Sequence, residues 1–281
     1  MIHNNNETNH YLNIIQNSNH KPHYGIRINH NKISLLEYQK ILELQQINYI
    51  TIDNKIVLIN FNGNITKIPL FLEGIVSIQD INAQLLLKYL LQYQKSINNN
   101  ENNQLYILDS CCAPGGKLSQ ILENTQHTVL AIDKDVNRLT KTQETLNRLS
   151  LDNKNYKLLN ADATNLLWWD NKKFDIIIAD VPCSASGTIK KNPDIKIHRS
   201  VADINNFVNL QRQIIINLWN TLKDGSLLIY ITCSIFKEEN QLNIEYFQQS
   251  IKDFKVLDSL QLLPNEFSDG FYYCIIKKEE L

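Results

Sequence analysis

One segment of the chain reads Phe174-Asp-Ile-Ile-Ile-Ala-Asp-Val-Pro-Cys183, an aliphatic run that ends at a cysteine. A second run, Leu227-Leu-Ile-Tyr-Ile-Thr-Cys233, has the same form. Runs of this length and composition are typical of buried strands in a parallel sheet. In open α/β sheets, ligands bind at the carboxyl ends of the strands. Because Cys183 and Cys233 both fall at that edge, they predict covalent chemistry there rather than packing.

A glycine turn follows an earlier apolar run, in Leu108-Asp-Ser-Cys-Cys-Ala-Pro-Gly-Gly-Lys117. It does not match the phosphate-binding pattern Gly-x-x-x-x-Gly-Lys-Ser/Thr, because Cys111 and Leu118 stand where Gly and Ser/Thr are required. It also lacks Gly-x-Gly-x-x-Gly, so a nicotinamide dinucleotide is poorly supported. The turn still allows a close backbone approach to a nucleoside without a pyrophosphate, and S-adenosylmethionine fits that description.

From Leu105 onward, apolar runs alternate with helical patterns, which predicts an α/β fold with a doubly wound parallel sheet. Before it, two short strands and the helix Ile33–Gln46 predict a small α+β unit. We therefore expect a frayed segment at 1–20, a small RNA-binding domain at 21–75 and the main domain at 76–281. The predicted strands of the main domain are Leu105–Leu108, Val129–Ile132, Tyr156–Leu159, Ile176–Ala179, Leu227–Ile231, Lys255–Leu257 and Phe271–Ile276.

Four acids, Asp109, Asp133, Asp162 and Asp180, end or follow the first four of these strands. For any single one of these acids, a purely structural role in a turn or a helix cap is the alternative, since Asp is common at such positions. Four at successive strand ends are harder to explain by capping alone. An acid after the second strand is the usual group that binds ribose hydroxyls, and Asp133 has that position.

Composition narrows the class of protein. The chain has 281 residues and a formal net charge of −1, so nucleic-acid binding would need a local basic patch. No apolar stretch approaches the roughly 20 residues that span a bilayer, and the N-terminus does not resemble a secretory signal. Five cysteines, an odd number without a Cys-x-x-Cys pair, argue against a disulfide framework and against a zinc site. We expect a cytoplasmic protein without a metal.

The motifs resemble the signatures of RNA cytosine-C5 methyltransferases. They are the Leu108–Lys117 segment, Asp180-Val-Pro-Cys-Ser-Ala-Ser-Gly-Thr188 and Tyr230-Ile-Thr-Cys-Ser-Ile-Phe-Lys-Glu-Glu-Asn240. Within that family the chain is most similar to the bacterial 16S ribosomal RNA enzymes of the RsmB (Sun/Fmu) type, as Lys191–Lys196 and Asp269–Tyr273 also match. The likeness implies a Rossmann-like class I methyltransferase sheet, mostly parallel with an antiparallel last strand. Two features depart from the type. Cys112 replaces a residue that is usually small. We also expect the usual N-terminal helical domain, which is similar to an antitermination factor, to be missing, because this chain has no room for it.

The resemblance also assigns roles to residues. Cys233 would be the nucleophile that adds to C6 of cytosine, Cys183 would assist product release, and Asp180 would face N3 while bordering the cofactor. The bland alternatives are a buried apolar cysteine for Cys233 and a structural Pro-Cys turn for Cys183. The residues implied in S-adenosylmethionine binding are Cys111, Cys112, Ala113, Pro114, Gly115, Gly116, Lys117, Asp133, Asp162 and Asp180, with Asp109 orienting the loop and Trp168 and Trp169 packing.

A basic loop follows the Cys183 turn. A charge run is usually a solvated face, but this one adjoins the predicted target pocket, so phosphate contact is slightly favoured. Arg27 and the helix Lys32–Lys40 could extend the track. Since the target base must leave its stack, we expect an unpaired or loop cytosine. The residues predicted to bind RNA are Lys190, Lys191, Lys196 and Arg199, with His198 beside them.

Three functions stay open from the sequence. The leading one is methylation of small-subunit 16S ribosomal RNA by a monomeric enzyme. A second keeps the chemistry but takes transfer RNA, and a third is a noncatalytic RNA-binding assembly factor. Intact Cys183, Cys233 and strand-end acids speak against the third. The sequence does not name the modified nucleotide.

Overall fold

The structure, a computed structural model, describes residues 21–95, 97 and 104–280. The predicted frayed segment 1–20 lies outside the described residues. Seven strands form the main sheet in the order β10-β11-β9-β8-β5-β6-β7. They are β5 (Tyr106–Asp109), β6 (Thr128–Asp133), β7 (Tyr156–Asn160), β8 (Phe174–Asp180), β9 (Leu222–Thr232), β10 (Phe254–Leu262) and β11 (Phe271–Lys278).

The predicted α/β fold is confirmed, with five consecutive parallel strands, β9-β8-β5-β6-β7, that reach one edge of this sheet. The last strand, β11, pairs antiparallel with β9, as the resemblance implies. Residues of β8 point alternately to two apolar layers: Ile176 and Ile178 to one, Ile177 and Ala179 to the other. Because both faces are covered, residues 176–179 of β8 form an uninterrupted apolar run instead of an alternating one.

Seven helices lie among the strands of the described residues. They are α1 (Leu35–Leu44), α2 (Leu85–Gln94), α3 (Gly116–Asn124), α4 (Val136–Arg148), α5 (Ile195–His198), α6 (Val201–Thr221) and α7 (Gln241–Ser250). Two of them start with a capping box. The Ser34 hydroxyl accepts from the Glu37 amide at α1, and Ser200 and Asp203 do the same at α6.

A small antiparallel sheet precedes the main domain, in the order β2-β3-β1-β4. Its strands are β1 (Tyr24–Ile28), β2 (Tyr49–Ile52), β3 (Lys55–Leu58) and β4 (Val76–Ile78), and α1 packs on it through Tyr38 and Leu42. The sequence analysis did not identify β2 or β4. Since β4 pairs with β1, the small sheet extends beyond residue 75, where the sequence suggested the boundary.

The small sheet is fixed to α3 through buried polar contacts. Arg27 of β1 is 5% exposed and forms a 3.0 Å ion pair with Glu123. Its guanidinium also donates to the Gly116 carbonyl at 2.6 Å and to the Ser119 hydroxyl at 2.8 Å. Arg27 therefore contacts the main domain, and the prediction that it extends an RNA track is wrong. Within the described residues, no helix has both the length and the apolar composition needed to cross a membrane.

Candidate active site

The register of the parallel strands brings three of the four predicted acids to one edge. Asp109 ends β5 beside Ala131 of β6 and Ile178 of β8. Asp133 ends β6, and Asp180 ends β8 opposite Ile231 of β9. Asp162 follows β7 by two residues. The carboxyl ends of the central strands thus carry the acids, as expected for a ligand site in an open sheet.

The glycine turn connects β5 to α3 at this edge. Its backbone is held by Cys112, whose amide donates to Ile132 at 3.0 Å, and by a cis Ala113–Pro114 bond. Gly115 has φ +93°, and a Cβ there would lie 2.9 Å from a Thr142 methyl, so only glycine fits well. A Cβ on Gly116 would meet nothing within 4 Å, which leaves open space on that side of the turn.

Asp133 and Asp162 line one pocket together with Ser110 and Cys111. Asp133 accepts from the amides of Ala113 at 3.2 Å and Asp135 at 3.0 Å. Each carboxylate oxygen can accept more than one hydrogen bond, so capacity is left for a ligand hydroxyl. The remaining wall of the pocket includes apolar residues that the sequence analysis did not find, and these are Ala163, Pro182, Leu210 and Ile214.

The two cysteines named by the sequence lie side by side. The Cys183 and Cys233 sulfurs are 3.4 Å apart, and both thiols are free. The hydrogen bond to Cys233, followed by burial, raises the pKa of Cys183 well above its usual value. Cys183 is therefore a thiol at neutral pH. A hydrogen bond joins the two sulfurs, and either thiol could be its donor.

Lys117 and Asp180 form an ion pair next to the thiols. The Lys117 ammonium lies 2.6 Å from an Asp180 carboxylate oxygen, and the Lys117 side chain is 12% exposed. Burial lowers the pKa of Lys117, but Asp180, with a weaker contribution from Cys233, outweighs it and leaves that pKa raised. The site therefore carries a permanent positive charge close to Asp180 and Cys233.

Asp109 lies beneath this pair and is fully buried. Within the described residues, neither of its carboxyl oxygens makes a hydrogen bond of normal geometry. Burial, aided by the charge of Asp180, raises the pKa of Asp109 to about 7. A carboxyl group that is half protonated near neutral pH is common at functional sites.

The cations of the basic loop differ from one another in their contacts, although the sequence analysis treated them as one group. The Lys190 ammonium donates to the carbonyls of Asn265 and Glu266, the latter at 2.8 Å. The Lys191 ammonium pairs with Asp80 at 3.1 Å and Asp269 at 2.6 Å. These two ammonium groups thus have partners within the protein, which disfavours phosphate contact. Lys196 and Arg199 are exposed, and the Arg199 Nε donates to the Ser184 carbonyl.

Sequence reasoning missed a buried carboxylate between the cysteine loops, Glu239, although it lies within a quoted motif. Trp168 and Trp169 pack against the core layer that contains Ile177 and Ala179, as expected. Within the part of the chain that the structure describes, no cluster of three or more His, Cys, Asp or Glu side chains could hold a metal.

Solved structures share this architecture. A crystal structure entitled "Methyltransferase Homolog Protein from Pyrococcus Horikoshii" covers 95% of this chain and 90% of its own, with a TM-score of 0.75 and 25% identity. The structure of NSun6 from Pyrococcus horikoshii with SFG covers 97% of this chain and 95% of its own, with a TM-score of 0.80. Its identity is 18%, so it supports the fold alone.

Sequence comparisons identify the family. The Vibrio cholerae ribosomal RNA small subunit methyltransferase B is 37% identical over 95% of this chain and 61% of its own length. The Pasteurella multocida protein of the same name is 38% identical over 94% and 61%. The chain thus spans about three fifths of the length of these relatives. A family model described as "16S rRNA methyltransferase RsmB/F" matches residues 95–276. The chain therefore belongs to the RsmB/F family of 16S rRNA methyltransferases.

Proposed function

We propose that this protein transfers a methyl group from S-adenosylmethionine to C5 of a cytosine in 16S ribosomal RNA through a covalent cysteine–C6 adduct. The observation that carries the proposal is the thiol pair: Cys183 and Cys233, 50 residues apart, lie 3.4 Å from each other. They stand beside the Lys117–Asp180 ion pair at the edge where ligands of α/β sheets bind. A purely structural cysteine needs neither a second thiol nor an ion pair beside it.

The pocket next to the thiols fits the proposed cofactor. Asp133 and Asp162 would accept hydrogen bonds from the ribose and adenine portions, and the apolar wall with Ala163 and Ile214 would contact the adenine ring. The open side of Gly116 allows close approach of the methionine portion. When bound, S-adenosylmethionine would supply an electrophilic methyl group. The NSun6 structure, which shares the fold, was determined with SFG, an S-adenosylmethionine analogue.

Cytosine C5 is a poor nucleophile until a thiolate has added to C6. The Cys233 thiolate would form the S–C6 bond and move the electron pair of the C5–C6 double bond to C5, which then takes up the methyl group. Loss of the C5 proton restores the double bond as the S–C6 bond breaks. The Cys183 thiol, whose sulfur lies 3.4 Å from that of Cys233, would donate a hydrogen bond to the Cys233 thiolate before addition and again as it departs.

Asp180 and Lys117 would act on the cytosine ring and on the thiolate. In the adduct, negative charge develops on the N3 side of the ring, and Asp180 in the role implied by the family would stabilise protonated N3. Lys117 would hold the Asp180 carboxylate in place at 2.6 Å. Its positive charge would also attract the Cys233 sulfur when that sulfur carries negative charge during addition and departure.

RNA contact is assigned to the surface around the site. We propose that Lys196 and Arg199, which are exposed beside the Cys183 loop, contact phosphates. The small sheet and α1 would form the rest of the RNA surface, with Arg27 in a supporting role below it. An unpaired cytosine is the natural substrate, because its C6 can be reached without unstacking a duplex.

The test is methyl transfer with a matched cysteine control. Purified protein, 16S ribosomal RNA and radiolabelled S-adenosylmethionine should yield 5-methylcytidine, measured by mass spectrometry of the digested RNA. Cys233→Ala should abolish incorporation while cofactor affinity, measured by calorimetry, stays nearly unchanged. Cys274→Ala, which removes a buried thiol of β11, is the control and should retain activity.

Three results would contradict the proposal. Incorporation by Cys233→Ala at the wild-type rate would remove Cys233 as the nucleophile. Methylation of transfer RNA in preference to 16S ribosomal RNA would retain the chemistry and change the substrate. If wild-type protein methylates neither RNA although it binds S-adenosylmethionine, the proposed activity is wrong.

A further inference from the structure

Glu239 follows Cys233 by six residues and has no exposed surface. Its neighbour Glu238 is exposed. Burial of a carboxyl group is costly unless hydrogen bonds compensate, so a buried glutamate between two functional loops calls for an explanation. None of the steps derived above uses Glu239.

Four donors converge on the Glu239 carboxyl group. One oxygen accepts from the Ser184 amide at 2.8 Å and from the Gln211 side chain at 3.0 Å. The other accepts from the hydroxyls of Ser184 and Ser234, each at 2.5 Å. All four donors are neutral groups, and together they satisfy an acceptor-only carboxylate.

The two serines are the residues that directly follow the two cysteines. Ser184 follows Cys183, and Ser234 follows Cys233, so the carboxylate links the two loops one residue away from each thiol. The link is reinforced by the backbone, because the Gly187 amide donates to the Cys233 carbonyl at 2.9 Å. A Cβ on Gly187 would lie 2.8 Å from that carbonyl oxygen, so the loops approach as closely as glycine permits.

We propose that Glu239 is a positioning residue for the thiol pair: through its hydrogen bonds with Ser184 and Ser234 it fixes the separation of the Cys183 and Cys233 sulfurs and places a negative charge on the Cys183 side of the pair. The inference rests on the proposed function for its catalytic meaning. Its structural content concerns the two thiols alone and is testable without RNA.

The charges around the pair are asymmetric. The titratable groups that face Cys183 are Cys233, Glu239 and Tyr230, and the negative charge of Glu239 disfavours a thiolate at Cys183. On the other side, the ammonium group of Lys117, which is paired with Asp180, faces Cys233. The negative group on the Cys183 side disfavours loss of the proton from that thiol.

The first experiment measures sulfur separation through disulfide formation. Diamide removes two electrons and two protons from a thiol pair, and sulfurs 3.4 Å apart need only a small rotation to reach the roughly 2.05 Å of a disulfide. Glu239→Gln keeps hydrogen-bonding groups for both serines, so it should form the Cys183–Cys233 disulfide at least as fast as wild type. Glu239→Ala should form the disulfide more slowly. Ser234→Ala, which removes one link, is the second variant and should also be slower.

The second experiment measures the charge. Iodoacetamide labelling of Cys183, followed by mass spectrometry between pH 6 and pH 10, gives its apparent pKa. Glu239→Gln should move the Cys183 profile to lower pH, and a pKa lower by about one raises the labelling rate below that pKa about tenfold. Glu238→Gln removes an equal charge from the neighbouring, exposed position and should leave the labelling profile of Cys183 unchanged.

Either of two results would overturn the inference. One is a Glu239→Gln labelling profile that superimposes on that of Glu238→Gln, and the other is wild-type disulfide formation in folded Glu239→Ala or in Ser234→Ala. Absence of RNA methylation in the wild-type protein would refute the proposed function instead, and it would leave both thiol measurements unaffected.

Discussion

Asp109 combines three properties that rarely coincide in one side chain. It is fully buried, its oxygens make no hydrogen bond of normal geometry within the described residues, and it has a second carboxyl group, Asp180, near it. These features raise its pKa to about 7, far above the ordinary value of 3.8. Folding therefore favours the protonated form of Asp109, and ionisation of this group opposes the folded state.

The raised pKa of Asp109 predicts how the free energy of unfolding depends on pH. The stabilisation from protonation is fully present below about pH 4, the pKa in the unfolded chain, and is lost as the pH rises through about 7. Asp109→Asn removes this dependence. Relative to wild type, the variant should gain about 2 kcal/mol in free energy of unfolding between pH 5 and pH 8.

Urea unfolding of both proteins without cofactor at the two pH values provides the measurement. Asp152→Asn, a change at an exposed acid, is the control and should show no such gain. A constant difference between Asp109→Asn and wild type across this range would show that Asp109 titrates normally.

Among the elements, α3 connects the candidate site to the small sheet. Its first turn carries Gly116 and Lys117 of the site, and its later turns carry Ser119 and Glu123, both bound to Arg27. The small sheet therefore supports the glycine turn from behind. Removing one partner from a buried ion pair leaves the other charge unpaired, which is more costly than losing an exposed pair.

Replacing Arg27 tests this support. Arg27→Ala should lower the free energy of unfolding by about 3–5 kcal/mol, because Glu123 stays buried without its cation. Lys40→Ala on the exposed side of α1 is the matched control and should change it by less than about 0.5 kcal/mol. Equal, small effects of the two substitutions in urea unfolding would show that the small sheet contributes little to the stability of α3.

Strand ends were predictable from the sequence, whereas contacts between distant elements were not. Asp133 and Asp180 follow apolar runs, and parallel strands place their ends at a common edge by geometry alone. The edge strand β4 has only three residues, and its pairing with β1 depends on the fold of the chain between them. The apolar pocket wall from α6, with Leu210 and Ile214, likewise carries no local signal, since those residues form an ordinary amphipathic face.

The contacts of charged side chains were harder to predict from the sequence than the positions of the apolar strands. Arg27 and Lys190 read as surface cations, but folding buries both against acceptors from other elements. Glu239 belongs to a motif that the sequence analysis quoted, but its role depends on a hydrogen bond with Ser184, 55 residues away. Hydrogen-bond partners of this kind are set by tertiary packing, and residue type alone does not reveal them.

For the molecule as a whole, net charge gives no attraction to RNA, so local cations must supply it. Lys196→Glu and Arg199→Glu should each weaken RNA binding and lower the slope of log K against log salt by somewhat under one. Lys255→Glu is the control, since Lys255 is the second residue of β10 and lies at the end of the sheet opposite the site. Filter binding across a salt series provides the measurement, and unaltered slopes in both variants would remove this loop from the RNA surface.

The central claim is that two thiols divide the work of one methyl transfer, and Cys183→Ala tests it most directly. Without the Cys183 thiol, addition and methyl transfer can proceed, but departure of the Cys233 thiolate is slowed. Incubation with 16S ribosomal RNA and S-adenosylmethionine should therefore accumulate protein covalently joined to RNA. Denaturing gels should show a slow, ribonuclease-sensitive band that is absent without the methyl donor and absent in the Cys183→Ala/Cys233→Ala double variant. Normal turnover of Cys183→Ala with no such band would contradict the two-thiol mechanism.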